Sequence, residues 1–136
     1  MRGAVHHIDL TVRDLAASDA FYDEVLGFLG YRRVRSDGGG IDWDLHVSGR
    51  LLCSIGLKPA RSDRLHDRYS AGLHHLAWHA GSRDDVDRLH ALLLAMGARI
   101  LDAPADYPAY GAGYYAVFFA DPDGLKLEFV HWPRSG

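Results

Sequence analysis

The chain reads as an α+β protein built from two copies of a βαβββ module. Two observations predict this. A double histidine opens both halves, as His6-His7-Ile8-Asp9-Leu10-Thr11-Val12 and, 68 positions later, as His74-His75-Leu76-Ala77-Trp78-His79-Ala80. After each, the apolar period changes from 2 to 3.6 and then back to a series of short strand-like runs.

Residues 5–12 alternate, with Ile8, Leu10 and Val12 on one face and His7, Asp9 and Thr11 on the other. Asp14 caps the helix that follows, whose apolar stripe is Leu15, Phe21, Tyr22, Val25, Leu26 and Leu29. Gly27 and Gly30 suit its end. Residues 31–35 read as a strand and 36–40 as a turn, and 41–47 and 51–57 form a hairpin across Ser48-Gly49-Arg50. A polar, aperiodic stretch at 58–71 is the linker. The second module repeats the order. Residues 73–80 are a strand, and Ser82-Arg83-Asp84-Asp85 resembles a capping box. Val86, Leu89, Leu92, Leu93 and Met96 stripe a helix that Gly97 ends. Residues 98–101 form a short strand, and 104–113 a loop rich in tyrosine, proline and glycine. The last two strands, 114–119 and 125–131, turn at Asp121-Pro122-Asp123-Gly124. Residues 1–136 are thus expected to form one domain, with modules at about 4–57 and 72–132. Neither module buries its own sheet face and helix easily, so the two are expected to pack together, their polar sheet faces forming one concave cup.

Composition narrows the function classes. A net charge of −3 offers no basic surface for nucleic acid. The one cysteine, Cys53, excludes an intrachain disulfide and a thiolate cage. With no signal-peptide apolar region and no run approaching a membrane span, a soluble cytoplasmic protein without membrane or nucleic-acid partners is expected. The nine histidines remain to be explained.

Alternation turns His7, Asp9 and Thr11 of the first strand into the cup. It does the same for His75, Ala77 and His79 of the fifth strand and for Glu128 of the last. Three strands thereby deliver His7, His75 and Glu128, two imidazoles and a carboxylate. This donor set suits a divalent metal of borderline softness and matches the 2-His-1-carboxylate arrangement of non-haem Fe(II) oxygenases. His6 and His74 are expected on the helix side. His79 is a candidate acid/base, alongside Glu128 as a second catalytic group. Asp9, Trp43, Ser54, Tyr107, Tyr110 and Tyr115 are candidate substrate contacts, the tyrosines as an aromatic lid.

The chain resembles the vicinal oxygen chelate superfamily, which includes glyoxalase I, extradiol dioxygenases, methylmalonyl-CoA epimerase and the fosfomycin- and bleomycin-resistance proteins. The resemblance lies in His7-Ile8-Asp9-Leu10-Thr11-Val12, in Ala20-Phe21-Tyr22-Asp23-Glu24-Val25-Leu26-Gly27-Phe28, in His75-Leu76-Ala77-Trp78, and in Asp121-Pro122-Asp123-Gly124-Leu125-Lys126-Leu127-Glu128-Phe129. It implies metal ligands at His7, His75 and Glu128. Glyoxalase I-like members carry a fourth ligand on the last strand of the first module, where alternation places Ser54 here. Serine is a poor ligand, so three protein ligands would leave room for a chelating substrate and dioxygen. The expectation is therefore an Fe(II) dioxygenase-type enzyme, with Mn, Ni, Zn or Co as alternative metals, acting on a small aromatic or quinone-like molecule. A glyoxalase I-like lyase or isomerase and a non-catalytic drug-binding protein are the alternatives. A homodimer is expected.

Overall fold

The computed structural model describes residues 1–133 of the 136. The chain divides into two compact units, Met1–Arg64 and a second that begins at Leu65. The boundary falls inside the stretch read as a linker.

The first unit contains β1 (His7–Val12), α1 (Leu15–Phe28), β2 (Arg32–Asp37), β3 (Gly40–Val47) and β4 (Arg50–Pro59). Its sheet has the order β1-β4-β3-β2. β1 runs parallel to β4, and the other neighbours are antiparallel. Asp14 caps α1 by accepting from the Ala17 amide. The helix buries Phe21, Tyr22, Val25 and Leu26, and the sheet buries Leu10, Val12, Ile41, Trp43, Ile55 and Leu57. These apolar sets meet on one face, which leaves His7, Asp9 and Thr11 exposed on the other. β2 runs two residues past its expected end because Asp37 accepts from both Arg35 and the Gly39 amide, which tightens the turn.

The second unit repeats this plan. β5 (His75–His79), α2 (Arg83–Met96), β6 (Arg99–Asp106), β7 (Tyr115–Ala120) and β8 (Lys126–His131) follow in order. The sheet order is β5-β8-β7-β6, again with one parallel pair, β5 with β8. Ser82 accepts from the Asp85 amide, which forms the first half of the capping box, whereas Asp85 reaches past the cap and accepts from the Gly81 amide. Gly97 closes α2 in the left-handed region, at φ 69°, where a side chain would be strained. Val86, Leu89 and Leu93 face Val117, Phe119, Leu127 and Phe129. β6 is longer than expected and takes in Pro104. It is an edge strand, and its pairing is irregular between Asp102 and Ala105, which tolerates a missing backbone donor.

Candidate metal centre

In the second unit, β5 and β8 pair with His75 opposite Lys126 and Ala77 opposite Glu128. His75 and Glu128 are therefore diagonal neighbours on the face turned away from α2. Nε2 of His75 lies 3.2 Å from Oε1 of Glu128. Glu128 is 2% exposed, an uncommon setting for a carboxylate. Its other oxygen, Oε2, accepts a hydrogen bond from the Tyr114 hydroxyl. Burial, and then the Glu128 carboxylate, push the Tyr114 phenol well above its ordinary range, so it remains a donor.

An aromatic group surrounds this pair within the unit. Tyr107 and Tyr110 stack with centroids 5.6 Å apart, and Tyr114 meets Tyr110 at 5.3 Å and Trp132 at 5.5 Å. Phe118, directly opposite Glu128 on β7, packs edge-on to Tyr107. Gly111 is required here, because a Cβ would stand 2.6 Å from the Trp132 indole. Lys126 lies over the Phe118 ring at 4.6 Å. His79, four residues after His75 and on the same face, is exposed at the end of β5.

In the first unit, β1 places His7 opposite Ser54 and Asp9 opposite Gly56. The Ser54 hydroxyl donates to Oδ1 of Asp44 at 2.6 Å. Comparing the two registers corrects the sequence reading. His7 pairs with Ser54 as His75 pairs with Lys126, so the counterpart of Glu128 is Gly56, one alternation step further, and not Ser54. Counting alternation along β4 alone fixes a face but not a partner. A Cβ on Gly56 would stand 2.6 Å from Oδ1 of Asp42 and closer still to Oδ1 of Asp9. Carboxylates of the two flanking strands thus occupy the room above this glycine. Arg35 holds Asp42 at 3.0 Å.

Other expectations are also corrected. Trp43 is fully buried, and its indole N–H donates to Asp23 of α1 at 2.9 Å, so it belongs to the helix face and not to the face of His7 and Asp9. Tyr115 likewise lies on the helix face, because the strand starts there and alternation turns it inward. Its hydroxyl donates to Asp87 of α2 at 2.6 Å, and Arg83 stacks on its ring at 3.8 Å. His6 and His74 do not point to the helix. They precede the first paired residue of their strands, where alternation does not apply, and both are exposed. Nδ1 of His6 lies 2.9 Å from Nδ1 of His7, and Nδ1 of His74 lies 2.7 Å from Nδ1 of His75. Tyr114 is the site residue that the sequence reading passed over. Its only signal was a place at the end of the tyrosine-rich loop, just before a strand.

The donor chemistry fits a divalent cation. A buried carboxylate and an imidazole nitrogen within hydrogen-bond reach form half of a mixed nitrogen and oxygen site, and one carboxylate oxygen is already held by a neutral donor. Among the described residues, no group of three or more His, Cys, Asp or Glu side chains is gathered as a complete cage. Among those residues, too, no helix is long and apolar enough to cross a membrane.

Known proteins share this architecture. The chain is 38% identical to YqjT of Bacillus subtilis (strain 168) over 126 residues, covering 93% of this chain and 97% of that protein. It is 33% identical to a 2-epi-5-epi-valiolone epimerase from Actinomyces sp, covering 97% of this chain and 81% of the relative. A solved glyoxalase-like protein of Bacillus halodurans superposes with a TM-score of 0.81 at 32% identity, covering 96% of this chain and 97% of that one. The fosfomycin resistance protein FosX of Listeria monocytogenes has the same fold, with a TM-score of 0.70 at 20% identity, covering 97% of this chain and 95% of that one. The model of the Glyoxalase/Bleomycin resistance protein/Dioxygenase superfamily matches residues 4–129, and the chain belongs to that superfamily.

Proposed function

We propose that the chain is a divalent-metal-dependent isomerase or lyase that moves a proton at a carbon beside a substrate oxygen. The observation that carries metal dependence is the buried Glu128 carboxylate shared between Nε2 of His75 and the Tyr114 hydroxyl. His75 and Glu128 are the proposed ligands in the second unit, and His7 is a proposed ligand in the first. A bound divalent ion supplies Lewis acidity to a carbonyl or enolate oxygen. Tyr114 restrains Oε2 of Glu128, which leaves Oε1, beside Nε2 of His75, as the oxygen that would bind the ion. His79, exposed on the same face as His75, takes and returns the proton. Tyr107 and Tyr110 flank the substrate. The proposal includes a homodimer, since β2 and β6 each end a sheet with an unpaired edge.

Proton transfer is preferred to oxygen chemistry because of Gly56. The oxygenase expectation rested on a serine opposite Glu128 and on an otherwise open position. The carboxylates of Asp9 and Asp42 over Gly56 argue against that premise. The Actinomyces relative, named for an epimerisation, supports the same class. An Fe(II) dioxygenase acting on an aromatic substrate is the second reading, favoured by the Tyr107–Tyr110 stack beside Glu128.

The test is to incubate Ni(II)-, Co(II)-, Mn(II)-, Zn(II)- or Fe(II)-loaded protein with hydroxy-ketones in D2O. Exchange of the hydrogen next to the carbonyl is followed by NMR while an electrode records oxygen. Exchange without oxygen uptake is expected. Oxygen uptake with catechols and no exchange would transfer the assignment to the dioxygenase reading.

A further inference from the structure

We infer that His74 is a positioning residue that sets which nitrogen of His75 is free to bind the ion. This rests on the metal-binding reading above. A contact of 2.7 Å between Nδ1 of His74 and Nδ1 of His75 holds a single hydrogen, so one ring donates and the other accepts. The same relation recurs in the first unit, where Nδ1 of His6 lies 2.9 Å from Nδ1 of His7, although no other residue around the two pairs matches. In the second unit the histidine outside the strand reaches Nδ1 of His75, the ring nitrogen opposite the one that faces Glu128.

Partner chemistry assigns the protons. Nε2 of His75 faces the Glu128 carboxylate, which accepts only, so in the metal-free protein the His75 hydrogen sits on Nε2. Nδ1 of His75 then accepts, and Nδ1 of His74 donates. Binding an ion requires the lone pair of Nε2. The hydrogen of His75 must move to its Nδ1, and Nδ1 of His74 becomes the acceptor while its own hydrogen moves to its Nε2. Each ring keeps one hydrogen, so neither gains or loses charge. His74 provides an acceptor that is already in place, the role that a carboxylate or carbonyl fills behind many ligating histidines. Its ring also makes an edge-on contact with Tyr69 at 5.8 Å.

Zn(II) binding is measured on the whole chain by competition titration, for the wild type, His75→Ala, His74→Phe and His74→Asn. Phenylalanine keeps the ring and removes the nitrogen, whereas asparagine restores an acceptor and is a weak zinc ligand. His74→Phe should weaken Zn(II) binding by about 10- to 100-fold, and His74→Asn should recover most of the loss. In the zinc-loaded wild type, 15N NMR should show His75 protonated at Nδ1 and His74 at Nε2. Wild-type affinity in His74→Phe, or no recovery in His74→Asn, would overturn the role of His74. Equal Zn(II) binding by the wild type and His75→Ala would instead overturn the metal-binding reading itself.

Discussion

Replacing Glu128 with glutamine separates a site built for function from one built for stability. Glu128 is 2% exposed and makes two polar contacts, with Tyr114 and His75. A glutamine in the same rotamer keeps both, its carbonyl accepting from Tyr114 and its amide donating to Nε2 of His75. Exchanging a charged acceptor for a neutral one loses about 1 kcal/mol. Removing a buried charge returns an amount of the same order. The metal-free variant should therefore lie within about 1 kcal/mol of the wild type by urea or thermal unfolding. The contrast appears on adding a divalent ion. At a free concentration 100 times Kd, binding stabilises the wild type by about 2.7 kcal/mol. For a chain of this size that raises Tm by on the order of 10 °C. Glu128→Gln should show little of this shift. A variant destabilised by about 3 kcal/mol without metal, yet keeping the full ion-dependent shift, would show that Glu128 is structural.

Tyr114→Phe leaves Oε2 of Glu128 buried without its donor and should cost about 1–3 kcal/mol in chemical denaturation. Trp43→Phe removes the bond to Asp23 and part of a fully buried side chain; it should cost about 2 kcal/mol while Zn(II) affinity, measured by titration, stays at the wild-type value. Ser82→Ala should cost about 1 kcal/mol through the lost cap of α2, read from thermal unfolding. The Arg83 guanidinium, hydrogen-bonded to Asp106, holds that carboxyl below its ordinary value of 3.8. A carboxyl lowered in the folded state adds stability above its unfolded pKa and loses it as pH falls through the lower, folded one. The stability difference between the wild type and Asp106→Asn should therefore be present at pH 7 and vanish as the solution is acidified below about pH 4.

Much of the fold was legible because period and caps are local. The switch from alternation to helical spacing after Val12 and Ala80 marks both modules, and Asp14 and Ser82 cap the helices that they were read to cap. Alternation also chose the face of His7, His75 and Glu128 correctly within each strand. What it could not supply was cross-strand register. Whether Ser54 or Gly56 mirrors Glu128 depends on where β4 pairs with β1, and a shift of two residues keeps the face while changing the partner. Tyr115 and Trp43 were misassigned for a related reason: large aromatic residues suit a lid and a core equally well by composition. Their hydroxyl and indole partners, Asp87 and Asp23, sit on helices distant in sequence. His74 was turned to the helix side and Tyr114 was given no role of its own because the expected strands, 73–80 and 114–119, begin before the observed ones at His75 and Tyr115, and periodicity carries no information ahead of a strand's first paired residue.

The parallel pairing of β5 with β8 has a further consequence, for how the chain opens. β5 is an end strand of its sheet, joined to the sheet on one side only, and Glu128 stands 53 positions after His75. The ladder between the two strands is thus the seam that closes the longest circuit of the second unit, and the slowest to assemble from the unfolded chain. Peeling β5 away would open that circuit without breaking any other strand pairing. An ion gripped by His75 and Glu128 would rivet this seam. Occupancy should therefore slow amide exchange along β5 and β8 well before it alters exchange in α2.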